Sequence, residues 1–96
     1  MPRRLRIEFE GAIYHVMARG NARQDIVHDD DDRRRVLGDL ERVVGRFGWE
    51  LLAFVVLSNP LHLVLKTPRP NLAKGMQAFL SGYAQWSARR RRGARG

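Results

Sequence analysis

The chain has no cysteine, which excludes disulfides and thiolate metal sites and fits, as an expectation, a cytoplasmic location. No apolar run approaches the roughly 18 residues of a membrane span. The basic N-terminus is followed by no apolar segment of the signal-peptide kind, so no membrane partner is expected. Acid is missing from one end. From Asn71 to Gly96 there are six basic groups and no Asp or Glu. Residues 1–35 carry eight Arg against seven acids, and residues 36–70 carry four basic groups against three acidic ones. Six of the eight net positive charges therefore lie in the last 26 residues. Such asymmetry suits a polyanion, most commonly nucleic acid; for Arg89, Arg90, Arg91 and Arg92 alone, a solvated basic tail is the plainer alternative.

What is present supports one small globular unit: 96 residues, 44% of them hydrophobic, suffice for a single core. Two apolar, β-prone runs, Leu51–Leu57 and Leu61–Thr67, flank Ser58-Asn59-Pro60 and predict a hairpin with central strands. Within the second run His62 is the odd residue, sharing a face with Pro60 and Val64 by the alternation of side chains. Ala12–Arg19 predicts an earlier strand, with Ile13, His15 and Met17 on one face and Tyr14, Val16 and Ala18 on the other. Gly20-Asn21 breaks it. Residues 25–28 form a connector. Val36, Leu37, Leu40, Val43, Val44 and Phe47 recur at helical spacing, and Gly48 suits the helix end. The acids Asp29–Asp32 sit at that helix's start, where they cap N–H groups and pair with Arg33, Arg34 and Arg35; capping explains them better than a metal site. After Pro68-Arg69-Pro70, Asn71 is a plausible N-cap. Leu72, Met76, Phe79, Leu80 and Tyr83 then predict a second amphipathic helix to about Ala88, weakened by Gly75 and Gly82.

Strand, helix, strand, strand, helix, with the first strand beside the third and both helices on one face, makes an α+β, ferredoxin-like βαββα arrangement. The expected division is a domain over 1–88, led by a basic arm over 1–11, and a flexible basic tail over 89–96.

The hairpin's Ser58-Asn59-Pro60-Leu61-His62 resembles the HUH motif of single-tyrosine transposases, particularly the REP-associated tyrosine transposases. The run from Gly11 through Ile13-Tyr14-His15-Val16-Met17 to Arg19-Gly20-Asn21 resembles the opening strand of the same family. Nearly all of this chain is covered, against about two-thirds of a family domain, whose final strand of βαββαβ has no counterpart here. In the family two histidines spaced by one residue hold a divalent metal, Mg²⁺ or Mn²⁺. This chain keeps His62, but Pro60 stands where the first histidine belongs. The resemblance therefore implies weak or absent metal binding, with His62 the remaining ligand and Gln85 a candidate oxygen donor. Asn59 shapes the turn. His15 is either a hydrogen-bonded strand histidine, the commoner role, or an approach to the metal region from a neighbouring strand.

The resemblance further implies a transposase that cleaves and rejoins single-stranded or hairpin DNA through a tyrosine, impaired here by Pro60. By its place in Ser81-Gly82-Tyr83-Ala84-Gln85-Trp86, Tyr83 matches the nucleophile; equally, lying eleven residues after Leu72, it continues the buried stripe. Phosphate contacts fall to Arg3, Arg4, Arg6, Arg19, Arg23, Arg89, Arg90, Arg91 and Arg92, with Trp86, Tyr83 or Tyr14 stacking on bases if exposed. Family members include dimers, so a homodimer is a candidate assembly. The competing reading is a nucleic-acid-binding module without chemistry. A basic scaffold for another chain is a third.

Overall fold

The computed structural model describes residues 8–19 and 26–94, leaving aside the side chains of residues 92–94. It contains β1 (Ala12–Ala18), α1 (Asp30–Phe47), β2 (Glu50–Val56), β3 (Leu61–Thr67) and α2 (Leu72–Ala94). The sheet order is β1-β3-β2, both pairings antiparallel. This is the ferredoxin-like α+β arrangement predicted from sequence, with β1 beside β3.

Alternation along β3 divides the molecule. Leu61, Leu63 and Leu65 are buried with Val36, Leu40 and Val43 of α1 and Leu72, Phe79 and Tyr83 of α2, so both helices cover one face. His62, Val64 and Lys66 point the other way and are half-buried. Only β3 is central. β2 is an edge strand, mostly exposed, and a register shift between Leu51 and Ala53 loosens its alternation. A continuous apolar run thus implied a more interior strand than β2 proves to be.

Helix α1 begins where its acids place it. Asp29 is extended (φ −154°) and its carboxylate accepts the Asp32 N–H at 2.9 Å, while Asp32 accepts the His28 N–H at 2.8 Å. The first bond satisfies one of the N–H groups that a helix start leaves without partners, and the second ties down the residue before the cap. Gly48 ends α1 at φ 72°, a left-handed conformation that glycine adopts without Cβ strain. The connector before α1 is anchored too, since the Ile26 and Val27 N–H groups both donate to the Ser58 carbonyl of the hairpin turn.

Helix α2 differs from the sequence expectation at both ends. Asn71 precedes it, but its side chain accepts from Trp49 Nε1 at 2.8 Å and donates to the Phe47 carbonyl at 3.0 Å. Glu8 accepts the Ala73 N–H instead, at 3.0 Å. Gly75, read as a weak point, lets the helix approach Trp49: a Cβ there would lie 2.0 Å from the indole Cζ2. At the other end the helix runs past Ala88 through the arginines to Ala94. Its propagation there is supported by ion pairs to the start of α1.

Candidate functional site

Two charged or polar constellations stand out, on opposite sides of the sheet. On the helix side, the basic end of α2 meets the acidic start of α1. Arg90 donates twice to Asp29, at 3.0 and 2.8 Å, and to Asp32 at 2.6 Å, with Asp31 at 3.4 Å. Arg91 donates to Asp32 at 3.1 Å and also contacts His28 Nδ1. Planar guanidinium groups suit such forked contacts with carboxylates. Arg90 and the Asp32 amide N–H hold the Asp29 carboxyl below its ordinary value. Burial works to raise the fully buried Asp32, but the His28 N–H and Arg91 outweigh it and the net direction is down.

This contact was legible only in part. The sequence assigned the four acids to capping and to nearby arginines; Arg33 and Arg34 do pair with Asp30 and Asp31. The additional partners, some sixty residues away, depend on how α1 and α2 pack. Asp39 was missed altogether: it is buried and paired with Arg35 and Arg42 on its own helix. Its spacings to both, four and three residues, were the available signal.

Tyr83 belongs to the covered side. It is 6% exposed and packed in the core, and its hydroxyl donates to the Ile26 carbonyl at 2.6 Å. Burial, followed by the charge of Asp32, pushes its pKa up to about 12, opposite to the activation of a phenol as a nucleophile. Because β3 turns His62 away from the helices, the structure does not bring Tyr83 and His62 together. Tyr14 and Trp86 are also half-buried against the core, and Arg35 and Arg90 each lie 5.4 Å from the Trp86 ring centroid. The aromatic groups nominated for base stacking are therefore largely engaged in packing.

The open face holds the second constellation. His15 stands opposite Val64 and His62 opposite Met17, so the histidines are diagonal neighbours across β1 and β3. Diagonal positions lie within reach of long side chains. His15 Nε2 comes to 3.1 Å from His62 Nδ1, the rings 5.3 Å between centroids and 15° from parallel. A shallow cleft of about 240 Å³ surrounds them, lined also by Ala53, Phe54, Val55 and Val64. His15 is thus a hydrogen-bonded strand histidine whose partner is His62. Among the described residues no group of three or more His, Cys, Asp or Glu gathers as a metal site. The cleft offers two imidazoles and no carboxylate, which does not fit Mg²⁺, an ion that demands near-octahedral oxygen coordination.

Of the proposed phosphate partners, Arg19 is exposed just after β1 and Arg89 is exposed on α2. Arg90 and Arg91 are engaged with the acids. Arg92 lies within α2; Arg3, Arg4, Arg6 and Arg23 fall outside the described residues. Among the described residues no helix is long and apolar enough to cross a membrane.

Comparison with solved structures finds a REP-associated tyrosine transposase bound to a REP hairpin, superimposing with a TM-score of 0.78 at 14% sequence identity. The chain shares that protein's fold. The match covers 92% of the present chain and 54% of the transposase chain, so the likeness concerns about half of that protein. No protein-family model and no curated protein matches the sequence.

Proposed function

We propose that this chain is a DNA-binding domain of the transposase fold that contacts single-stranded or hairpin DNA mainly through phosphate. The observation that carries this reading is the fold shared with a transposase bound to a REP hairpin. The six basic groups that follow Pro70 in sequence with no acid among them support it. Of the arginines nominated from sequence, Arg19 and Arg89 are described and exposed, and Arg3, Arg4, Arg6 and Arg23 are further candidates. Arg90 and Arg91 can contribute by exchanging carboxylate partners for phosphate, whereas Arg92 is assigned on sequence alone.

The test is binding of a hairpin oligonucleotide across a salt series. The logarithm of affinity should fall linearly with the logarithm of salt, by about 0.7 to 0.9 per phosphate neutralised. Arg89→Ala should reduce that slope by about 1. Failure to bind at low salt would sink the reading; an unchanged slope would remove Arg89 from the interface.

The rival reading retains strand transfer, with Tyr83 as nucleophile and His62 at a metal. It requires Tyr83 to leave the core and surrender its bond to Ile26, and the favoured reading is accordingly binding without chemistry. Incubation of the oligonucleotide with the chain and Mn²⁺ separates the two. A covalent adduct that disappears in Tyr83→Phe would establish the rival.

A further inference from the structure

We propose that His15 and His62 form a cross-strand, two-imidazole site for a borderline divalent cation of the Zn²⁺, Ni²⁺ or Cu²⁺ class. The proposal rests on the 3.1 Å approach of the two ring nitrogens, independently of DNA binding. Two metal–nitrogen bonds of about 2.0–2.1 Å, meeting at about 95–100°, span that separation once each ring turns to aim its lone pair off the line between the two nitrogens. Imidazole is the ligand these ions favour, while the absence of carboxylate from the cleft lining works against harder cations. The donor pair is contributed by His15 and His62, with Pro60 supplying no ligand. The metal chemistry this favours differs accordingly from the Mg²⁺ or Mn²⁺ implied by the sequence resemblance.

The surroundings organise the pair. Seven consecutive residue pairs fix β1 against β3, so neither histidine depends on a loop for its position. Val64, Ala53 and Val55 line the cleft with apolar groups that offer the rings no competing side-chain hydrogen bonds. In the metal-free pair one facing nitrogen donates a hydrogen bond and the other accepts it. Binding requires a lone pair at both, so the intervening hydrogen is displaced to the remote nitrogen of the donor ring as the two metal–nitrogen bonds form. The other coordination positions remain available to water.

Calorimetric titration of the tag-free chain with Zn²⁺ tests the site, alongside His15→Gln, His62→Gln and His28→Gln, each checked for folding by circular dichroism. The parent should bind one equivalent. Both His15→Gln and His62→Gln should weaken binding at least tenfold, while His28→Gln should leave it unchanged. Cu²⁺ should give an electron paramagnetic resonance spectrum with two nitrogen donors, reduced to one in each folded single variant. A tenfold excess of Mg²⁺ should not displace Zn²⁺. Absence of saturable Zn²⁺ binding by the parent, binding that survives loss of either histidine, or equal competition by Mg²⁺ would overturn the proposal. If a variant fails to fold, the parent's Cu²⁺ spectrum decides: anything other than two-nitrogen coordination overturns the site.

Discussion

Leu65 and Val64 are neighbours in one strand, yet they inhabit different chemistries. Leu65 is fully buried beneath the helices; Val64 belongs to the face that holds the histidines. On the covered side, Tyr83 has a hydrogen-bonded hydroxyl and a raised pKa, and the aspartates of α1 have cationic partners. On the open side, Ile13 is 62% exposed, Met17 47% and Val55 50%, around two apposed imidazoles. A period of two lets one strand serve stability with alternate residues while the others remain available for binding. Burial is therefore a poor guide to which β3 residues matter for function, and a good guide to which matter for folding.

The largest expected effect lies on the covered side. Leu65→Ala should cost about 2–5 kcal/mol by lost burial and cavity formation, whereas Val64→Ala should cost much less. Urea unfolding of both variants checks the contrast; equal losses would break it. Gly75→Ala comes next, at about 1–3 kcal/mol, because the new methyl must displace the Trp49 ring. A near-neutral result would mean that α2 can move away from the indole at little cost. Tyr83→Phe should cost about 1 kcal/mol through loss of the bond to Ile26.

Titration sharpens the same contrast. Folding retains the Tyr83 proton, so the stabilisation linked to that group is fully present below about pH 10 and is lost as pH rises toward about 12. Tyr83→Phe should remove that alkaline component from a stability–pH curve. The smallest effect should come from the partly exposed ion pairs. Asp29 and Asp32 are held below their ordinary pKa, so their contribution is present above about pH 4 and declines as pH falls through their lowered folded values. Arg90→Ala should lower the melting temperature near neutrality and flatten the acid limb. An unaltered acid limb would show that the ion pairs add little to native stability.

The elements themselves were legible because their periodicities differ. Alternation identified the faces of β1 and β3, and the helical spacing from Val36 to Phe47 identified α1. Contacts between distant segments were harder to read. Nothing local to Arg90 signals Asp29, and nothing near Gly75 signals Trp49. The approach of His15 to His62 depends on strand order and a diagonal register together; a one-residue slip would put one ring on the opposite face. Tyr83 shows the reverse problem. Its sequence position suggested chemistry, while its helical phase, equally visible, placed it in the core.

The strand order also has a consequence for how the molecule assembles. β2 and β3 meet through a short turn, but β1 joins β3 only across the long segment that includes α1. Such non-local closure pays its entropy before most contacts reward it and tends to slow folding. His15 and His62, 47 residues apart, lie on either side of that closure. A ligand requiring both rings recognises the chain only after β1 has docked. At a free concentration one hundred times its dissociation constant, it would favour that state by about 2.7 kcal/mol, fastening the sheet across the seam that is most demanding to close.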